Sequence, residues 1–265
     1  MALIGFTSVH GAPGASTLAL AVAHHWPVTA DRPAILVEAD GDGGVLAARH
    51  GLSLQPGLTE LAGAARVGID AGELGRYMQT MTSGVPVIVA HPAAEQTSAA
   101  LRTAASHLAT ALVAHPDCDT IVDLGRLRPG TPATALANAC ETLIVVVRCV
   151  AEELVTVLSR LSALERIAPV ELALVGQSPY PADEVRRASG IETIHLIPTD
   201  PAAVRNDPAA AKGKRSPWTR AVRSLTEHLV AGVTAERDLN ARVDGVPMDV
   251  TGWSSAHRSP IGAVA

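Results

Sequence analysis

Along the chain, short unbroken apolar runs alternate with longer stretches of helical period. The runs at 3–9 (LIGFTSV), 34–39 (AILVEA), 85–90 (VPVIVA), 119–124 (DTIVDL), 142–148 (TLIVVVR), 171–176 (ELALVG) and 192–197 (ETIHLI) predict strands. Helices are expected near 14–25, 44–50, 57–64, 98–115, 131–139, 152–166 and 182–189. A last helix over about 217–232 opens on Ser216 as cap and Pro217 in the first turn. Apolar strands that are each followed by a helix imply a mostly parallel sheet covered on both faces. The expected fold class is α/β, a sheet of about seven strands flanked by helices, over residues 1–232. From Val233 onward the period decays into mixed charge, Gly and Pro, so 233–265 is expected to be a weakly structured tail.

Composition narrows this picture. Hydrophobic residues make up 48% of the 265, yet the aromatics are only three Trp, two Tyr and one Phe. The core must therefore be aliphatic, which suits helices packed closely on a parallel sheet. A net charge of -5 argues against a protein coated with nucleic acid. Cys118, Cys140 and Cys149 have no metal-type spacing and each adjoins an apolar run, the pattern of buried thiols in a reducing compartment. No apolar run approaches the ~18 residues of a membrane span, and "MALIGF" enters a strand without a signal pattern. A cytoplasmic protein without membrane attachment is expected.

The candidate chemistry lies in residues 4–22, "IGFTSVHGAPGASTLALAV", which read as strand, Gly-rich turn and helix start. A phosphate-binding loop, G-x-x-x-x-G-K-[ST], wraps phosphates with backbone N–H groups. Its lysine neutralises them and its hydroxyl ligates magnesium. Here Gly11 and Gly14 allow the turn, with Ala12 and Pro13 between them. Ser16 stands at the magnesium position with Thr17 beside it, and Ala15 stands where the lysine belongs. Two readings stay open on this loop alone: it is kept for helix packing, or it holds nucleotide without a lysine.

The order of motifs over roughly residues 1–230 resembles the ParA/MinD branch of P-loop ATPases, the deviant-Walker group that includes the pilus-assembly protein CpaE. In that family the loop reads K-G-G-x-G-K-[ST]-[ST]. Here His10 and Ala15 occupy the two lysine positions, while Gly11, Gly14, Ser16 and Thr17 match. "LVEADGDGG" resembles the first switch, which makes Glu38 its first acid and Asp40 the catalytic, water-positioning one. "DCDTIVDLG" resembles the Walker B strand, so the resemblance implies that Asp123 reaches magnesium through water. "VGQSP" replaces the Asn-Arg that usually helps hold the base, leaving Gly176 and Gln177 as substitutes. Both Asp40 and Asp123 are expected after strands that flank the loop's own strand, at the rim where ligands gather.

The resemblance implies a positioning factor or scaffold in chromosome or plasmid partitioning, at a cell pole, or in a secretion or pilus apparatus. Its cofactor would be ATP or ADP with Mg²⁺. A homodimer or a protein partner would form on the phosphate-loop face. Losing a charge-assisted phosphate contact costs roughly 1.5–3 kcal/mol, which binding survives more readily than catalysis. Weak or absent hydrolysis is therefore the first expectation, and an active ATPase switch is the alternative. A third reading is non-specific DNA binding. Residues 205–223 carry six Lys/Arg against one Asp, and Lys212, Lys214 and Arg215 would contact phosphates. Ten histidines include no H-E-x-x-H pair, so metal catalysis finds no sequence support.

Overall fold

The computed structural model describes residues 2–10, 13–201 and 216–244. The chain divides into two compact units, Met1–Val230 and Ala231–Ala265. The first unit carries a sheet of eight strands rather than seven. In chain order these are β1 (Leu3–Ser8), β2 (Ala34–Glu38), β3 (Gln79–Thr80), β4 (Pro86–Ile88), β5 (Asp119–Arg126), β6 (Thr142–Arg148), β7 (Val170–Val175) and β8 (Ile194–Ile197). Their spatial order is β3-β4-β2-β5-β1-β6-β7-β8, and every pairing is parallel except that of β3 with β4. The two-residue β3 and a 3₁₀ turn at Ala71–Tyr77 are too short to leave a period in the sequence.

Among the described residues the helices are α1 (Ala15–Ala30), α2 (Leu46–His50), α3 (Leu58–Ala65), α4 (Ala94–Val113), α5 (Thr134–Asn138), α6 (Ala151–Glu165), α7 (Ala182–Ser189) and α8 (Pro217–Asp244). Two of them run past their expected ends. Helix α1 continues through Pro27, whose ring removes only one backbone donor at an exposed turn, and stops at Asp31 in the left-handed region (φ 51°). Helix α8 continues beyond 232 to Asp244, because the next Gly or Pro after Gly232 is Gly245.

The core follows from the composition. Residues 17–23 of α1 are all buried, and its Ala and Val side chains let it lie close to the sheet. Strand β1 is buried at all six positions and β6 at its five middle ones. The three cysteines are buried free thiols. No helix among the described residues is long and apolar enough to cross a membrane.

Candidate phosphate-binding site

Strand order decides where a ligand fits. From β1 the chain crosses to β2 on one side, and from β6 it crosses to β7 on the other. A crevice therefore opens beyond the carboxyl ends of β1 and β6, the switch point of the sheet. A cleft of about 800 Å³ lies there, between the loop residues Pro13–Thr17 and the ends of β5, β6 and β7. Gly14 caps α1 with φ 105°, a conformation that favours glycine, and its carbonyl accepts the Leu18 N–H at 2.9 Å. The first turn of α1 thus directs its N–H groups into the cleft.

Three carboxyl groups gather behind this loop. Asp123 is fully buried, and its Oδ1 accepts the Gly125 N–H at 3.1 Å. Its Oδ2 is buried with no partner at hydrogen-bond distance. Burial raises its pKa to about 7. The nearby Ser16 hydroxyl favours the ionised form without closing a bond of normal length, while the charges of Glu38 and Asp40 oppose ionisation. Asp40 lines the cleft, accepts the Asp42 N–H at 2.9 Å and has its pKa raised by burial. It packs against Gly125, where φ is +57° and a Cβ would fall 1.9 Å from Asp40 Cγ.

Glu38 plays a different part. Its carboxylate accepts the N–H groups of Val45 (2.6 Å), Leu46 (3.0 Å) and Ala90 (2.9 Å). It ties the start of α2 to the end of the β4 segment, and burial raises its pKa against those three bonds. With both oxygens so engaged, Glu38 positions backbone rather than water. Strand β2 also does not flank β1, because β5 lies between them. Asp40 therefore reaches the cleft by way of the loop after β2, which folds onto Gly125, and only Asp123 lies on a strand beside β1.

The positive charge comes from outside the loop. Ala15 is buried, and His10 is exposed and away from the cleft lining. Arg49, Arg126 and Arg148 do line the cleft. Arg126 pairs with Asp42 at 2.7 Å, and Arg148 is held by Glu153, which also accepts the Arg148 backbone N–H at 2.9 Å. Arg49 has no acidic partner among the described residues, and its Nη1 lies 3.4 Å from Thr17 Oγ1. Sequence reasoning missed all three. Arg126 and Arg148 did leave a signal, each being a cation that closes a buried strand at the ligand rim. Arg49 left none, since only the fold of α2 brings it to Thr17.

Beside the main cleft lies a second pocket of about 360 Å³, walled by Pro13, Leu18, Val175, Ile197, Pro198 and Trp218. The two share Pro13, Gly14, Thr17, Val175 and Thr199, and the charged residues lie in the larger one. The donor set fits a magnesium–nucleotide ligand. An orphaned carboxylate oxygen stands near a serine hydroxyl, and a hard cation prefers oxygen ligands.

No protein-family profile and no curated protein matches the sequence. Solved structures do match its backbone. A ParA family ATPase from Chlorobium tepidum superposes with a TM-score of 0.74 at 18% identity, over 86% of this chain and 98% of that one. The fold is that of the ParA/MinD ATPases. The septum site-determining protein MinD of Pyrococcus horikoshii, complexed with Mg-ADP, matches with a TM-score of 0.70 at 16% identity, covering 88% of this chain and 98% of that one. A chain of the MinC:MinD cell division protein complex of Aquifex aeolicus matches at 0.66 and 12%, covering 87% and 96%.

On this ParA/MinD fold, the sequence-derived candidates divide into three groups. Pro13, Gly14, Ala15, Ser16, Thr17 and Asp40 line one cleft, as do Gly176 and Gln177, and Asp123 is buried behind it. Gly11 and Ala12 lie outside the described residues. So do Lys212, Lys214 and Arg215, the DNA-contact candidates.

Proposed function

We propose that this protein is a positioning factor of the ParA/MinD type, acting in the cytoplasm as a scaffold whose cleft binds magnesium–nucleotide and hydrolyses it very slowly or not at all. The observation that carries the reading is the pairing of an intact Ser16–Asp123 arrangement with an alanine at position 15. The residues that would hold magnesium are present, and the loop position from which a lysine would stabilise phosphoryl transfer carries no charge.

Magnesium, when bound, supplies charge neutralisation at the phosphates. The chain's own residues do the remaining work. Backbone N–H groups at the start of α1 would hold the phosphates, Ser16 and Asp123 would hold the cation, and the apolar pocket at Trp218 would take the base. Arg49 stands in for the missing lysine. Glu38 anchors the start of α2, and α2 carries Arg49 to Thr17, so occupancy of the cleft is coupled to the loop after β2. Val150, 42% exposed at the cleft rim, is an apolar position open to a second copy or a protein partner.

Calorimetric titration of Mg-ATP and Mg-ADP into wild type, Ala15→Lys and Arg49→Ala tests this. Wild type is expected to bind weakly. Ala15→Lys should tighten binding about ten- to a hundredfold, and Arg49→Ala should weaken it about tenfold. Silence in both wild type and Ala15→Lys would make the loop architectural. Steady turnover by wild type, abolished in Asp123→Ala, would replace the scaffold with an ATPase switch.

A further inference from the structure

Glu171 in β7, His195 in β8 and His228 in α8 meet away from the nucleotide cleft. Ala173 pairs with His195 across the two strands, so Glu171, two residues earlier, lies on the same face and diagonal to that histidine. Glu171 Oε2 is 2.7 Å from His195 Nε2, and Oε1 is 2.9 Å from His228 Nε2. The imidazole centroids are 5.1 Å apart at 63°. One potential ligand atom from each residue falls within 4.8 Å of the others. Glu171 and His195 are largely shielded, with side chains 17% and 13% exposed, whereas His228 is 46% exposed.

We propose that this trio is a Zn²⁺ site at the outer edge of the sheet, independent of the nucleotide reading. Two imidazole nitrogens and a carboxylate are the donor set of three-ligand zinc centres, which keep a fourth position open. Imidazole disfavours Mg²⁺ and Ca²⁺, which take oxygen ligands, so the site does not compete for the cation of the cleft. Both rings direct Nε2 at one carboxylate, and an ion between them would replace the two Nε2–H···O bonds, with any Nε2 protons released to solvent. Glu171 lies four residues before Val175 of the cleft wall, about 13 Å along the strand at about 3.3 Å per residue. Bound zinc would clamp α8 onto β7 and β8 at the edge of the sheet, where among the described residues the last strand has a neighbour on one side only.

The test is equilibrium titration of the full chain with Zn²⁺ alone, and with Co²⁺ followed by its visible absorption, without nucleotide. One equivalent is expected, with a raised unfolding midpoint and a Co²⁺ spectrum of low coordination number. His228→Gln should lower affinity about tenfold or more, and the double variant His195→Gln/His228→Gln should abolish it. His228 is half-exposed, so its variant tests the site even if His195→Gln fails to fold. Asp123→Asn should leave the bound equivalent in place. No binding, binding that survives the double variant, or an equivalent lost only with Asp123→Asn would each overturn the proposal.

Discussion

Asp119 and Asp123 lie on the same strand, β5, and both are completely buried, yet they face opposite ends of the sheet. At the amino end, Asp119 accepts the Ala2 N–H (3.1 Å) and the Trp26 indole N–H (3.0 Å), with the Arg32 guanidinium 3.6 Å away. At the carboxyl end, Asp123 has one backbone N–H on Oδ1 and nothing on Oδ2. Burial alone therefore does not distinguish the two acids. What separates them is whether the fold satisfies both oxygens itself. Asp119 pins strand, helix and N-terminal segment together, whereas Asp123 stores an unmet demand at the switch point.

The comparison can be broken most directly at Asp119. Asp119→Ala strands the indole and backbone donors beside an arginine, and should cost roughly 3–5 kcal/mol in urea unfolding. A loss below about 1 kcal/mol would dissolve the contrast. Asp123→Asn should act in the other direction. The folded carboxyl has a pKa of about 7 against an ordinary 3.8, so the native state binds the extra proton. Wild-type stability should then fall as pH rises from 3.8 towards 7, and burial shifts Glu38 and Asp40 with the same sign. The asparagine variant should be more stable than wild type by roughly 2–4 kcal/mol above pH 7, with the gain vanishing near pH 4. It should also lose magnesium-dependent nucleotide binding. Unfolding curves across that pH range, with and without Mg-ATP, check both outcomes.

A smaller effect sharpens the site's other acid. Gly125→Ala places a methyl on Asp40 in a left-handed backbone, and should cost roughly 1–3 kcal/mol. Because Asp40 must then leave its place, nucleotide affinity should change more in Gly125→Ala than in an equally destabilised Leu108→Ala, whose fully buried side chain lies on α4. Equal affinity in the two variants would mean that Asp40 does not contribute to binding. Calorimetry at a temperature where both variants are folded decides this.

Much of the fold was legible because buried parallel strands are local objects. "LIGFTS", "TIVDL" and "TLIVVV" each declare themselves as unbroken apolar runs, and the loop after the first declares its glycines and its missing lysine. Ser16 and Asp123 were each named from the motif they resemble, one at the start of α1 and one on β5. Strand adjacency misled where it was inferred for β2, since β5 inserts between β2 and β1. The role of Glu38 left no signal in the sequence: N–H groups of Val45, Leu46 and Ala90 meet its carboxylate, which no spacing rule brings together.

The sequence by itself thus determined the α/β class, the aliphatic core, and a Gly-rich stretch between strand and helix with alanine at position 15. Each of these depends on residues close together in the chain. Tertiary structure alone decided the sources of charge: Arg49, Arg126 and Arg148 reach one cleft from three elements, and Glu171, His195 and His228 reach one point from three others. The physical reason is that apolar periodicity records which face of an element is buried, whereas electrostatic function depends on distances across elements, which strand order and helix packing set.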